Sequence, residues 1–120
     1  MASRRDEQRV YAQFQVLRLV AETPSISTRQ IAEEVGVSHG SAYYILTALA
    51  EKGLVKIQNF SNNPHKFGYT YLLTPEGIRE KTRLTLAFIE RKRQEFEELR
   101  GEIRSLEKDV GSNLLNQRDR

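Results

Sequence analysis

Ser27-Thr28-Arg29-Gln30-Ile31-Ala32-Glu33-Glu34-Val35-Gly36-Val37-Ser38-His39-Gly40-Ser41-Ala42 decides the fold of this chain. Ser27 followed by Gln30 is a capping box, in which each side chain satisfies a backbone N–H that a helix start leaves orphaned. Ile31, Ala32 and Val35 then form a short apolar face, and Gly36 supplies the left-handed residue that closes a helix. One residue later Ser38 opens a second helix, with Ala42, Ile45, Leu46 and Leu49 as its buried stripe and Gly53 at its end. Two short helices joined by a few residues with a glycine in the turn make a helix-turn-helix.

Upstream, Val10, Phe14, Leu17 and Ala21 recur on one face of a 3.6-residue period, widened by Tyr11, Val16 and Val20. Ser3 and Asp6 resemble a capping box at the start of this first helix, and Pro24 stops it. Downstream, Leu54-Val55-Lys56-Ile57-Gln58-Asn59-Phe60 alternates and is rich in β-formers, and Tyr69-Thr70-Tyr71-Leu72-Leu73 reads as its partner strand. The turn formers of Ser61-Asn62-Asn63-Pro64-His65-Lys66-Phe67-Gly68 join them into a hairpin with a polar tip. Thr74-Pro75-Glu76 supplies a cap, a proline at the first helical position and an acid in the first turn of a last helix. The expected fold is mainly α with a small β-hairpin: a winged helix-turn-helix over 1–75, a long helix over 76–112, and a frayed tail over 113–120.

Composition narrows the chemistry. The 120 residues carry a net charge of +3 and contain no cysteine, which excludes disulfides, thiolate metal sites and cysteine catalysis. Two histidines, with no glycine-rich phosphate loop and no metal-spaced ligands, leave almost nothing from which to build an enzyme. No metal and no cofactor is expected. The apolar runs fall far short of the roughly 20 residues a bilayer span needs, and Met1 to Glu7 lacks the apolar stretch of a signal peptide, so no membrane partner and a cytoplasmic location are expected. The pI near 9.3 is a weak pointer to nucleic acid. Residues 1–75 hold 8 basic and 6 acidic side chains, and residues 76–120 hold 11 and 10, so most of the charged groups belong to the last helix.

In a winged helix-turn-helix the second helix of the motif fits the DNA major groove, and the wing reaches a neighbouring backbone or minor groove. That helix leaves His39, Gly40, Ser41, Tyr43, Tyr44 and Thr47 facing outward. The backbone N–H groups at the two helix starts, near Ser27-Thr28 and Ser38-His39, suit phosphate oxygens. Arg29 is a further phosphate candidate, and His65 and Lys66 at the wing tip are candidates for backbone or minor-groove contact. Each has a plainer alternative: a solvated arginine, a solvated helix-start histidine, a tyrosine packed on the first helix or the wing, an ordinary polar loop. No Arg or Lys lies between Ser38 and Glu51, so the commonest base contact, Arg or Lys to guanine, cannot come from this helix before Lys52.

The stretch from Ser27 to Ser38, together with Ala48-Leu49-Ala50-Glu51-Lys52-Gly53-Leu54-Val55 and Leu73-Thr74-Pro75-Glu76-Gly77, resembles the MarR-type bacterial transcription regulators. Gly53 to Phe60, Tyr71 to Ile78 and Glu80-Lys81-Thr82-Arg83-Leu84-Thr85-Leu86 are similar, more narrowly, to the small MarR-family regulators associated with exopolysaccharide gene clusters. The resemblance covers about residues 10–105. It implies a homodimeric, sequence-specific regulator that binds double-stranded DNA, with exopolysaccharide genes as its targets. Small-molecule effectors are common in such regulators, but the sequence shows no convergent polar pocket for one.

The last helix carries its own signal. Ile89, Phe96, Ile103 and Val110 are spaced by seven, with Leu99 and Leu106 at the complementary position. Leu84 and Phe88 extend the apolar surface upstream. These eight residues are the expected dimerisation surface, because a 75-residue domain cannot cover a helix of some 36 residues, about 54 Å long. With Ile89 at position a, an antiparallel pair sets Glu95, Glu102 and Asp109 against one another. A parallel pair matches Glu95 with Arg100 of a second copy, although Glu102 then meets Glu107. The balance favours a parallel two-fold pair. Lys92 weakens the start of the seam, and Gly101 faces outward. A competing reading is a winged-helix protein-interaction module that captures its partner through residues 89–110 and binds little DNA.

Overall fold

The computed structural model describes residues 4–59 and 69–118. Helix α1 spans Arg4–Glu22, strand β1 Ile26–Ser27, α2 Thr28–Val35, α3 His39–Glu51, β2 Val55–Asn59, β3 Tyr69–Leu73 and α4 Pro75–Arg118. The winged helix-turn-helix plan is therefore present in the expected order. The capping box at α2 forms in full, with Ser27 Oγ accepting from Gln30 N and Gln30 Oε1 accepting from Ser27 N, both at 3.1 Å. Ser38 caps α3 in the same way, accepting from Ser41 N at 3.1 Å. Gly36 takes φ 79°, and Gly53, in the turn after α3, takes φ 75°. At both positions an L side chain would be strained.

The sheet has three strands rather than two. The order is β1-β3-β2, antiparallel throughout, with Ile26 opposite Tyr71 and Val55 opposite Leu73. A two-residue strand carries no alternation to detect. It exists because Ser25, at φ 64°, turns the chain after α1 so that Ser25 N reaches Tyr71 O. The wing tip, with Asn62, Asn63, His65 and Lys66, lies outside the described residues, as does Ser3.

The core sits where α1, α2, α3 and β3 converge. Phe14, Val16, Leu17 and Val20 of α1 are buried against Ile31 and Ala32 of α2 and Ala42, Leu46 and Leu49 of α3, with Val55 and Tyr71 from the sheet. Of the expected face of α1, Phe14, Leu17, Val16 and Val20 are buried and Ala21 is half-buried, whereas Val10 and Tyr11 near its start are exposed. Tyr71 is the largest fully buried side chain, and its hydroxyl lies 2.8 Å from Thr28 Oγ1.

The start of α4 is fixed by the carbonyls of the turn after α3. Thr74 N donates to Leu54 O at 3.1 Å, and Thr74 Oγ1 donates to Gly53 O at 2.6 Å, with Leu54 O at 3.0 Å, while Thr74 Oγ1 accepts from Gly77 N at 3.0 Å. A Cβ at position 77 would overlap Leu54 O, so only glycine allows the helix to approach the turn after α3 this closely.

Two expectations about α4 need correction. The helix does not stop near Val110 with a frayed tail after it; it continues through Gly111 to Arg118, 44 residues in all. Gly111 keeps helical backbone here, costs about 1 kcal/mol relative to alanine, and is followed by the helix-compatible Leu114 and Leu115 rather than by proline. Leu84 is not on a free surface. At 8% exposure it belongs to the core of the compact unit, which extends through Thr85 rather than ending at residue 75. Residues 86–118 form a second unit that is helical throughout.

Candidate nucleic-acid interface

The helix-turn-helix places the expected residues in three groups. His39, Gly40, Ser41, Tyr43 and Tyr44 are all exposed on α3. Ser38 and Ser41 are joined through their hydroxyls at 2.9 Å, which holds both at the N-terminal edge of the helix. Tyr43 leans toward Tyr69 at the base of the wing, with ring centroids 6.5 Å apart. No local sequence signal links Tyr43 to Tyr69; the hairpin brings them together. Tyr44 stands 73% exposed.

The second group surrounds the start of α2. Arg29 is well exposed and faces Glu33 at 3.4 Å across one helical turn. Such an exposed pair is worth little in water and leaves the guanidinium able to exchange Glu33 for a phosphate. Ser27 is half-buried, and both its N–H and its Oγ are engaged in the capping box. Its amide is thus already satisfied within the protein, contrary to the expectation that it serves phosphate.

The third group faces inward. Thr28 is 2% exposed, and its hydroxyl is paired with Tyr71, so its side chain is a structural contact and not a DNA contact. The Tyr71 phenol is pushed above its ordinary pKa of 10.0, mainly by burial and partly offset by the hydrogen bond with Thr28. Thr47, expected to face outward, is half-buried, and its Oγ1 is sealed from solvent without a hydrogen bond. His65 and Lys66 are among the residues outside the description.

Charge on α2, α3 and β2 is balanced. Arg29, Lys52 and Lys56 are exposed, and so are Glu33, Glu34 and Glu51. A cleft of about 210 Å³ lies between α1 and the end of α2, lined by Tyr11, Phe14, Arg18, Glu22, Glu34 and Val35 among others. It falls below the usual range for ligand pockets. Among the described residues no cluster of His, Cys, Asp and Glu is arranged to hold a metal ion, and no helix is long and apolar enough to cross a membrane.

Residues 11–56 match a family described as winged helix-turn-helix DNA-binding. The chain has the winged helix-turn-helix fold of the MarR-type regulators. Its structure is similar to the PcaV transcriptional regulator from Streptomyces coelicolor, solved with its natural ligand, at 24% identity and TM-score 0.57, over 65% of this chain and 54% of that one. It is similar to NadR in complex with 4-hydroxyphenylacetate at 27% identity and TM-score 0.60, over 90% of this chain and 76% of that one. It is also similar to the multiple antibiotic-resistance repressor MarR from Listeria monocytogenes at 22% identity and TM-score 0.57, over 87% and 74%. The chain thus spans about half the length of PcaV and of the Staphylococcus aureus MarR, at 54% and 55%. No curated protein matches the chain.

On the second unit, Ile89, Phe96, Leu99, Ile103, Leu106 and Val110 are 43–64% exposed along α4. Leu114 and Leu115, beyond the expected end of the helix, are exposed too. Phe88 is half-buried, with the Arg91 guanidinium 5.6 Å above its ring. Lys92–Glu95 and Arg100–Glu97 pair along the same helix at 3.2 and 3.3 Å.

Proposed function

We propose that this protein is a sequence-specific, double-stranded-DNA-binding transcriptional regulator that acts as a homodimer. The observation that carries this reading is α3: a helix sealed on one side by Ala42, Leu46 and Leu49, bare on the other, and flanked by a wing. α3 enters the major groove by its N-terminal half, with Arg29 and the wing-tip Lys66 on phosphates. The α4 seam supplies the second copy, because six apolar side chains repeating at coiled-coil spacing gain most by packing on their own equivalents. Among structurally similar proteins, PcaV and SlyA are transcriptional regulators and the Listeria MarR is a repressor. The sequence resemblance makes exopolysaccharide genes the proposed targets.

The test is binding of the full chain to DNA from its own genomic neighbourhood at low salt, with mass measured in parallel. The expected result is a dimer whose footprint has two half-sites centred about 34 Å apart, or a multiple of that. Lys66→Ala should weaken binding across all sequences and reduce the salt slope by about 1. The absence of cations on α3 favours a second reading, a winged-helix interaction module. A dimer that binds no DNA, yet captures a protein through residues 89–110, would establish it instead.

A further inference from the structure

We infer that Tyr44 is a specificity-determining residue that reads the C5-methyl group of a thymine in the base pairs α3 contacts. This rests on the DNA-binding reading above and names what the same face recognises. The exposed side chains of α3 between its caps are few: His39, Ser41, Tyr43, Tyr44 and the terminal Glu51. None is Arg or Lys, so the bidentate contact to guanine O6 and N7 has no donor on this helix. Ser41 is short and tied to Ser38, and Tyr43 is tilted onto Tyr69. Gly40 presents open space where a Cβ would stand, so the backbone there can come close to base edges. Glu51 lies two turns beyond Tyr44, at the end of the helix that enters the groove last.

His39 stands at the first position of the helix, and Tyr44 is the barer of the two tyrosines on its outward side. At 73% it is more exposed than any other large apolar or aromatic residue among those described, the seam residues of α4 included. A ring of this kind hides 150–250 Å² when it finds a partner, and α3 already meets its packing needs on the opposite side. In the major groove the apolar projection is the thymine methyl, which cytosine, adenine and guanine lack. The phenol O–H beyond the ring remains free to face water or a phosphate oxygen.

The experiment replaces thymine by uracil, which removes the methyl group and nothing else. A duplex selected by the full-length protein from random sequence is re-made with uracil at each half-site position in turn, and affinity is measured by fluorescence anisotropy. One position per half-site should weaken binding about fourfold, the worth of one buried methyl group. Tyr44→Ala should bind the uracil and thymine duplexes alike, and Tyr44→Phe should still tell them apart. The substitution site is exposed, and matching thermal melts of the variants check that the fold is kept. Uracil that is neutral everywhere, discrimination that survives in Tyr44→Ala, or a selected half-site with guanine and no thymine under α3 would each overturn the assignment while leaving DNA binding intact. A protein that enriches no sequence overturns both.

Discussion

Thr28 and Tyr71 show how one hydroxyl pair can tie a helix start to a strand. The two oxygens are 2.8 Å apart in a site that excludes water, 43 residues apart in sequence. Tyr71→Phe leaves Thr28 Oγ1 buried with no partner, which should cost about 1–3 kcal/mol in chemical denaturation. Thr28→Val strands the tyrosine hydroxyl in the same way. The double variant should cost clearly less than the sum of the two, because it removes both polar groups together. Ionisation is a second handle on the same pair. Burial raises the Tyr71 pKa, so the folded state holds the proton more tightly than the unfolded chain does. That stabilisation is fully present below the ordinary value of 10.0 and is lost as pH rises through the folded-state pKa. Denaturation midpoints followed from pH 9 upward should therefore fall in the native protein, and less steeply in Tyr71→Phe. Thr28 is the residue that sequence reading places on the wrong side: a threonine next to an N-cap looks like a phosphate contact, and only a distant tyrosine turns it inward.

At the scale of elements, what was legible was local. The caps at Ser27 and Ser38, the αL glycines and the stripe of α3 are determined by residues within one or two turns, and all appear as read except that Ile45 of the stripe is only half-buried. Strand β1 was not legible, because two residues have no period and their pairing depends on β3. The end of α4 was misread for a related reason: glycine ends a helix only when the chain takes the left-handed turn, and Gly111 does not. Gly101 is the same type of residue mid-helix, with nothing within 4 Å of where a Cβ would stand. Gly101→Ala should raise the stability of α4 by about 1 kcal/mol, read as a higher melting temperature at unchanged oligomeric mass. A drop in stability would mean that the glycine serves a bend or a close approach by a second copy. The seam itself also changes step. Val110 is followed by Leu114 rather than by an apolar residue at 113, an extra four-residue step that relaxes the left-handed drift of a strict heptad.

Across the whole molecule, the fold was legible from the order of elements, and the individual contacts were less so. Helix, helix-turn-helix, hairpin and long helix survive as read, while Thr28, Thr47 and Leu84 turn inward, because neighbours remote in sequence decide which way a side chain faces. The near-neutral face of α3 bears on how such a protein is shared out over a chromosome. Random-sequence DNA holds a regulator chiefly through phosphate neutralisation, and each neutralised phosphate adds to that grip. A reading helix without cations contributes little to it. Under the proposed function, bulk DNA then acts as a shallow sink, and the protein would spend more of its time unattached than a basic regulator. Occupancy of an operator would follow the cellular concentration of dimer closely, making abundance itself the control variable.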